Sequence, residues 1–446
     1  MRGNGDSWRK YRWHWKCAEK TVLTEKLIHW FRQIPDYRCG REKRHDLGEM
    51  LVCVTLGFLC GRTTIRRSLK WCKTHLEELR KHMNLKYGIA SPSTITRMLN
   101  GIDEELALYA FMEWIGEIVE SRNTHLAIDG KALCGATEKT KGETTPMLLN
   151  VVETVRGLIL AQLPVDSKTN EITAIPELLK LLDISGSIVT IDAVGTQTAI
   201  MEQIHEQGGH FVLTVKKNQP EAYEEIHTFM DKLGAEDLKR KKGEAMDPGM
   251  KEFLEKYEEI SQMEKNRDRN EYRTCQICKD ASNLTKSQKE WPHVQSIGRI
   301  KQVRIPKEKD SQGNDVTPSK EEFLEKGSRR IPAPSAGEGA GKDVQCTALI
   351  SDLILTAEEL GSIKRMHWSI ENRLHHVLDD TFREDRSPAK KSRNNLSLIR
   401  KYAYNILRLA MYETGLANIM TEMMDCFCDN AALRERYVFQ GIASLY

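Results

Sequence analysis

Apolar residues recur every three or four positions through residues 363–386, which is the pattern of an amphipathic helix. The apolar positions are Ile363, Met366, Ile370, Leu374, Val377 and Leu378. Polar residues recur at every fourth position, so they form a stripe along the same helix: His367, Glu371, His375 and Asp379. A carboxylate among histidines, with arginines nearby, suggests a site that handles a metal or a phosphate.

The N-terminal part of the chain shows helical periodicity in three stretches: 25–33, 45–60 and 65–83. A further helix is predicted to begin at Ser91, because serine caps helices well and Pro92 suits the first turn. Its Ser, Thr and Arg residues would suit a recognition helix in a DNA groove. No diagnostic helix-turn-helix spacing accompanies them, so an ordinary helix is the favoured interpretation.

Between residues 124 and 215 the pattern changes to short apolar runs that are typical of strands. Five strands are predicted, at 124–128, 147–155, 158–164, 187–191 and 210–215. Helical patterns at 173–183 and 196–207 separate the last three of them. Three strands in succession suit an antiparallel meander, whereas helical crossovers suit parallel neighbours. The sequence therefore predicts a mixed five-stranded sheet with flanking helices.

The distribution of charge changes this picture at the N-terminus. Residues 1–105 hold 21 Lys and Arg against 12 Asp and Glu, although the whole chain has a net charge of only +3. A basic third of a nearly balanced protein favours an anionic partner such as DNA or RNA over a merely solvated basic surface. We therefore predict that the N-terminal region binds nucleic acid.

Composition excludes several other classes of protein. The longest apolar run, 50–60, is too short to span a bilayer, and the N-terminus lacks the apolar core of a signal peptide. Eleven cysteines without a regular framework fit a reducing compartment better than a disulfide scaffold. These observations predict a cytoplasmic protein with no membrane partner.

Two aspartates follow apolar strand patterns and each precedes a turn that contains glycine. Asp129 ends the first predicted strand and Asp192 ends the fourth. Strand ends are where α/β sheets place their chemistry, although aspartate is also an ordinary turn residue. Together with Glu371, the two aspartates could hold two hard divalent cations, Mg²⁺ or alternatively Mn²⁺. Such a pair of ions suits displacement at a phosphate.

Zinc sites are weaker alternatives. Cys275 and Cys278 form a single C-x-x-C pair without a second pair at zinc spacing. The spacing of His367, Glu371 and His375 could bind zinc along one helix. Catalysis by oxygen ligands explains more of the chain, because it also uses the two strand-end aspartates.

Five separate blocks of sequence are similar to the H-repeat-associated insertion-sequence transposases of the DDE class. In chain order the blocks are AIDGK at 127–131, KTNEITAIP at 168–176, TIDAVGTQ at 190–197, KNQP at 217–220 and HWSIEN at 367–372. Residues 34–38, 43–45 and 59–61 resemble the associated N-terminal domain of the same family. The resemblance runs from about residue 26 to 412.

The resemblance implies a fold and a set of domains. The fold would be α/β, with an RNase H-like five-stranded catalytic core that a largely β insertion interrupts, and with a helical N-terminal domain. The expected segments are a basic arm at 1–24, the helical, DNA-binding domain at 25–120, the first part of the core at 121–220, the insertion at 221–343, the second part of the core at 344–415, and a helical tail at 416–446.

The resemblance also implies an activity. Asp129, Asp192 and Glu371 would be the catalytic and metal-binding triad, with Mg²⁺ or Mn²⁺ as cofactor. The reaction would be hydrolysis of a phosphodiester at the element's ends, followed by strand transfer by the freed 3′-hydroxyl. A transposase-derived DNA-binding protein that no longer cuts, and a metal-dependent nuclease without strand transfer, are the alternatives. The intact triad argues against the first alternative.

The expected partners are double-stranded DNA, comprising the element's terminal inverted repeats and the target. A dimer in the DNA complex is expected, because two ends must be brought together, and the bacterial cytoplasm and its nucleoid are the expected location. Related families carry a lysine seven residues after the catalytic glutamate, where this chain has Leu378. The residues expected to contact DNA are Lys131, Lys216, Lys217, Asn218, Gln219, His367, Arg373, His375, His376 and Arg386.

Overall fold

The computed structural model describes residues 25–38, 43–133, 147–165, 171–265, 269–284, 291–306, 308–309, 315–316, 344–387, 389–442 and 445. The predicted basic arm therefore lies outside the described residues. The chain divides into two compact units. We call Met1–Glu120 with Ala389–Tyr446 the helical unit, and Ser121–Pro388 the sheet unit. None of the described helices is long and apolar enough to cross a membrane.

Six helices lie in the described N-terminal part of the helical unit. They are α1 (Leu27–Gln33), α2 (Leu47–Leu59), α3 (Ile65–Thr74), α4 (Leu76–Leu79), α5 (Pro92–Gly101) and α6 (Glu104–Gly116). Helix α5 begins where the sequence predicts, because the Ser91 side chain accepts a hydrogen bond from the Thr94 backbone N–H. Every residue of α2 is buried, so this helix forms the centre of the unit.

The strands of the sheet unit are β1 (His125–Ala132), β2 (Met147–Glu153), β3 (Leu158–Val165), β4 (Ile188–Ile191), β5 (His210–Val215), β6 (Tyr257–Lys265), β7 (Arg269–Cys278), β8 (Ser296–Pro306), β9 (Glu308–Lys309), β10 (Asp315–Val316) and β11 (Val344–Ser351). Nine of them form one sheet in the order β3-β2-β1-β4-β5-β11-β8-β7-β6, and β9 pairs with β10 separately. The predicted mixed sheet is confirmed.

The sheet is larger than the five strands that the sequence predicts. Strands β1, β2 and β3 pair antiparallel, whereas β1, β4 and β5 are parallel neighbours. Beyond β5, strand β11 and the described strands β6, β7 and β8 of the expected insertion continue the same sheet. Strand β11 hydrogen-bonds to β5 on one side and to β8 on the other. This pairing removes the open edge that β5 would otherwise expose.

Among the described residues of the sheet unit, five helices accompany the sheet: α7 (Glu171–Lys180), α8 (Thr198–Glu206), α9 (Pro220–Lys242), α10 (Lys251–Glu255) and α11 (Ala357–Ile370). Helix α11 begins with a capping box, in which Thr356 and Glu359 satisfy each other's backbone N–H groups. Two π-helical turns, Glu371–His375 and Val377–Thr381, continue it. Helix α11 packs its apolar side, including Leu360 and Ile363, into a core that the sheet provides.

The chain returns to the helical unit after the sheet. Helices α12 (Arg393–Thr414), α13 (Met420–Asp429) and α14 (Ala431–Arg434) form this C-terminal part. Aromatic packing holds α12 there, since the Tyr402 ring lies 4.7 Å from the rings of both Phe31 and Trp114, centroid to centroid. This position differs from the expected core segment 344–415, which would have assigned α12 to the sheet.

Candidate active site

The two predicted aspartates lie on, or directly after, neighbouring parallel strands. Asp192 follows β4, but Asp129 lies inside β1, which continues to Ala132, and not at the strand end that the sequence predicts. In the register of β1 and β4, Ile128 is opposite Ile191, so the next position on each strand is Asp129 and Asp192. Residues opposite each other in a parallel pair point to the same side of the sheet. Both side chains are partly buried. The pairing of these strands therefore brings the two carboxylates to one place.

Glu371 reaches the same place from a helix. It is the first residue of the π-helical turns that follow α11, and it is exposed. Single π-helical turns within α-helices occur frequently at functional sites. One turn further on, His375 Nδ1 lies 3.6 Å from the Asp129 carboxylate. Of the predicted polar stripe, His375 thus faces Asp129 on β1, whereas Glu371 is exposed.

The carboxylates influence one another electrostatically. The pKa of Asp129 is raised to about 7, and burial is the largest cause. The negative charges of Asp192, Glu371 and Glu171 also raise it, whereas the hydrogen bond from the Gly130 N–H lowers it. The contribution of the neighbouring carboxylates to this shift, unlike that of burial, is repulsion between like charges, which added positive charge would relieve. All three members of the predicted triad therefore share one electrostatic environment.

Asp192 already has a cationic partner. Lys216 Nζ, which follows β5, lies 2.6 Å from Asp192 Oδ2. Burial raises the pKa of Asp192, but the hydrogen bond and charge of Lys216 outweigh burial and hold the pKa below its usual value. Both side chains are about half exposed, so solvent weakens this ion pair.

A second lysine near the site is missing from the sequence predictions. Lys364 on α11 is buried, and its Nζ donates a hydrogen bond to Thr214 Oγ1 at 2.8 Å. Burial lowers the pKa of Lys364 to about 8, although the charges of Asp192, Asp129 and Glu371 act in the opposite direction. Sequence offers one signal for it, since Lys364 is seven residues before the glutamate, which is two helical turns.

Glu171 is a fourth carboxylate at the site. It begins α7, within the block that resembles the family, and a Cβ on Gly130 would lie 3.1 Å from Glu171 Oε1. Burial raises its pKa, and so does the charge of Asp192. Sequence reasoning missed Glu171 because it considered only acidic residues at strand ends and on the later helix.

The residues predicted to contact DNA fall into two groups. The exposed ones, whose side chains are accessible to a phosphate backbone, are Lys216, Lys217, Asn218, Arg373, His376 and Arg386. Asn218 and Gln219 also support the loop after Asp192, since their side-chain N–H groups donate to the backbone carbonyls of Ala193 and Thr196. His375 is only slightly exposed and lies beside Asp129.

The placement of two other residues does not fit a predicted DNA contact. Lys131 is buried, and its Nζ lies 2.5 Å from Asp379, 3.4 Å from Glu384 and 3.5 Å from Asp385. His367 is buried as well, and its Nδ1 lies 3.0 Å from Thr190 Oγ1. The polar groups of Lys131 and His367 are thus occupied by contacts within the protein, which the sequence pattern alone does not reveal.

The donor chemistry of the site fits a hard divalent cation. Carboxylate oxygens are the ligands that Mg²⁺ and Mn²⁺ prefer, and a cation would relieve the repulsion that Asp192, Glu371 and Glu171 exert on Asp129. Among the described residues, no group of three or more His, Cys, Asp or Glu side chains is arranged to hold a metal ion. This includes Cys275 and Cys278, which therefore have no partners for a zinc site in the described part of the chain.

Comparison with known proteins identifies the class. Residues 120–406 match the family described as transposase DDE domain, and residues 28–115 match the family described as DDE_Tnp_1-associated. The chain belongs to the transposase DDE domain family. This family relationship confirms the resemblance on which the predicted triad was based.

Individual relatives agree with this family. The chain is 28% identical over 388 residues to the "H repeat-associated putative transposase YhhI" of Escherichia coli (strain K12), covering 86% of this chain and 90% of that protein. It is 32% identical over 196 residues to the "H repeat-associated putative transposase YbfD" of the same strain, covering 44% of this chain and 78% of that protein.

One solved structure was also similar. It is the cryo-EM structure of the piggyBac transposase synaptic complex with hairpin DNA, which aligns with 91% of this chain and 77% of that chain. The TM-score is 0.39 and the sequence identity is 11%, both of which are low.

Proposed function

We propose that this protein is a DNA transposase that hydrolyses a phosphodiester at each end of an insertion sequence and then joins the freed 3′-hydroxyl to target DNA. The observation that supports this function best is the register of β1 and β4, in which Ile128 and Ile191, the residues before Asp129 and Asp192, are opposite each other. Glu371 adds the third carboxylate, and its charge contributes to the raised pKa of Asp129. Family membership supports the same conclusion.

The proposed cofactor is Mg²⁺, with Mn²⁺ as the alternative, held by Asp129, Asp192 and Glu371. Bound at these oxygens, two such ions would activate the attacking oxygen and stabilise the leaving oxygen of an in-line displacement at phosphorus. The chain's own contribution is to hold the three carboxylates on rigid elements, two of them on neighbouring strands. Lys216 would leave Asp192 when a cation is bound, and it could then contact a DNA phosphate.

The sheet order supports an RNase H-like core as part of this proposal. Strands β3, β2, β1, β4 and β5 are consecutive in the sheet, with three antiparallel strands followed by two parallel ones. Helices α7 and α8 lie between these strands in sequence. Asp192 then directly follows β4, at the strand end where open α/β sheets commonly bind their ligands, and Asp129 lies on the neighbouring strand β1.

The proposed DNA contacts follow from exposure. Lys217, Arg373, His376 and Arg386 are exposed, and each could neutralise or hydrogen-bond to a phosphate. The substrates would be the element's terminal inverted repeats and a target duplex. A dimer in the DNA complex is part of the proposal, because joining requires two ends held together.

Substituting one carboxylate tests the catalytic role. Asp192→Asn should abolish end cleavage and leave DNA binding intact, because the amide keeps the shape of the carboxylate but loses its charge. Asp183→Asn is the matched control, since Asp183 is exposed and precedes the same strand. The assay uses labelled DNA with the element's ends and Mg²⁺. Cleavage by Asp192→Asn at the wild-type rate would remove Asp192 from the active site.

The same assay separates the alternatives. Joined products formed by the wild-type protein support a transposase. Cleaved ends that are never joined would favour a nuclease that uses the same carboxylates. Specific binding of ends, with neither cleavage nor joining in Mg²⁺ or Mn²⁺, would favour a transposase-derived DNA-binding protein.

A further inference from the structure

Three buried side chains meet on the sheet and connect the elements that carry the candidate carboxylates. His125 is on β1, Thr190 is on β4 and His367 is on α11, and each is more than nine-tenths buried. His125 Nε2 and His367 Nδ1 each lie 3.0 Å from the same atom, Thr190 Oγ1. One hydroxyl group therefore links two strands and a helix.

The spacing along the strands places these residues on the face of the sheet that carries the aspartates. His125 precedes Asp129 by four residues and Thr190 precedes Asp192 by two, and side chains at even spacing on a strand point to one face. The register of β1 and β4 also pairs Ala127 with Thr190. The link between His125 and Thr190 is thus on the same side as the carboxylates.

The spacing along α11 also places His367 on the side of the helix that carries a candidate carboxylate. His367 precedes Glu371 by four residues, which places both on one face of a helix. His367 is buried against Thr190, whereas Glu371 is exposed at the beginning of the π-helical turns. The contact with Thr190 therefore sets how α11 lies along the sheet, one turn before the glutamate.

The hydrogen bonds of the Thr190 hydroxyl and of the His125 ring are compatible with one another. The Thr190 hydroxyl can donate to the Leu126 carbonyl at 3.3 Å, which leaves its oxygen free to accept from both imidazoles. The Thr154 hydroxyl lies 2.7 Å from His125 Nδ1 and can donate to it. Burial, together with the nearby Lys364 charge, lowers the pKa of both His125 and His367, so both are neutral. Neutral imidazoles provide the single N–H donors that this arrangement needs.

We infer that His125, Thr190 and His367 form a positioning network that sets the relative places of the three carboxylates. None of the three residues is itself a catalytic residue, because each is buried and bonded to the others. The inference rests on the proposed function for the role of the carboxylates. Its physical basis is that displacement at phosphorus and metal binding both tolerate only small errors in ligand position.

Replacing the shared hydroxyl tests the network. Thr190→Val keeps the shape of the side chain but removes the acceptor for both histidines, whereas Thr190→Ser keeps the hydroxyl. Thr55→Val is the matched control, because Thr55 is also buried and its hydroxyl donates to a backbone carbonyl, but it is in helix α2 of the helical unit. Mn²⁺ binding is measured by electron paramagnetic resonance, alongside end cleavage and DNA affinity.

Thr190→Val should weaken Mn²⁺ binding and slow cleavage by about tenfold to 100-fold, which is the usual effect of removing a group that orients metal ligands. DNA affinity should stay within about twofold, an allowance well below the effect of losing a base or phosphate contact. Thr190→Ser should restore both properties, and Thr55→Val should change neither.

Folded Thr190→Val with wild-type Mn²⁺ affinity would overturn the inference, as would failure of Thr190→Ser to restore binding. Failure of the proposed function gives a different result. In that case wild-type protein neither cuts nor joins, while Mn²⁺ binding by the Thr190 variants still shows whether the network positions the carboxylates.

Discussion

Lys216 Nζ lies 2.6 Å from Asp192 Oδ2, so a lysine is bound to the carboxylate that the proposed mechanism assigns to a metal. Lys216 and a bound cation would therefore compete for the Asp192 carboxylate. Asp129, on the neighbouring strand, has its pKa raised to about 7, first by burial and further by the surrounding carboxylates. The two aspartates therefore differ in how their negative charge is balanced.

Removing this competitor should change metal binding. Lys216→Met should lower the Mg²⁺ concentration for half-maximal thermal stabilisation by about threefold, since a half-exposed ion pair contributes up to about 1 kcal/mol. The measurement is the melting temperature as Mg²⁺ is increased. Lys217→Met is the control, because Lys217 is the exposed neighbouring lysine. An unchanged or higher half-maximal concentration for Lys216→Met would contradict the prediction.

Lys131 should matter for stability through a buried ion cluster. It is 3% exposed, and three carboxylates from the segment after Glu371 surround its Nζ. Burial lowers the pKa of Lys131, but these charges outweigh burial and raise it. Lys131→Met should reduce the free energy of unfolding by about 3 kcal/mol or more, because it leaves buried negative charge without its cation.

The comparison variant for this cluster is Asp379→Asn. It removes one of three carboxylates and leaves Lys131 paired with Glu384 and Asp385, so the loss should be about 1 kcal/mol or less. Urea unfolding followed by circular dichroism measures both. Equal decreases in the free energy of unfolding for the two variants would show that Lys131 is no more important to the ion cluster than Asp379.

His125 should make stability depend on pH. Its pKa in the folded protein is about 3, because of burial and the Lys364 charge, against 6.5 for an ordinary histidine. Below pH 6.5 the unfolded chain therefore binds a proton that the folded protein rejects. The contribution of His125 to the free energy of unfolding is fully present above this pH. It decreases as the pH falls, by about 1.4 kcal/mol per pH unit.

The variant His125→Gln isolates this contribution. Between pH 6 and pH 4, the free energy of unfolding of the wild-type protein should decrease more steeply than that of the variant, by about 1.4 kcal/mol per pH unit. His376→Gln, at an exposed position, should keep the wild-type slope. Parallel slopes for the wild-type protein and His125→Gln would show that His125 accepts a proton while the protein remains folded.

Tyr402 should tolerate loss of its hydroxyl. The side chain is completely buried among Phe31, Phe111 and Trp114, and its hydroxyl has no hydrogen-bond partner among the described residues. Tyr402→Phe should therefore raise the free energy of unfolding by about 1 kcal/mol, the lower end of the cost of an unsatisfied buried group. Tyr402→Ala should lower it by about 3 kcal/mol or more. Thermal unfolding would compare the two, and destabilisation by Tyr402→Phe would reveal a hydrogen bond.

Local sequence determined the elements of the sheet unit well. The five predicted strands correspond to β1–β5, because period-two and continuous apolar runs depend only on which residues must be buried. The same patterns correctly placed Asp192 at the end of a strand. Asp129 instead lies inside β1, because pairing with β2 extends that strand to Ala132. The stripe through His367 and Glu371 correctly indicated that these residues share one side of the helix, since residues four apart do so, and its functional role stays a prediction.

Only the tertiary structure decided how these elements meet. The register that places Ile128 opposite Ile191, the shared contact at Thr190 and the approach of Glu171 all join residues far apart in sequence. Burial of Lys131 and His367 likewise depends on which element packs over them, so their charge pattern suggested DNA contacts that the fold does not allow. Periodicity reports the secondary structure and the buried face of a segment, whereas strand register and desolvation arise from long-range packing that no single segment encodes.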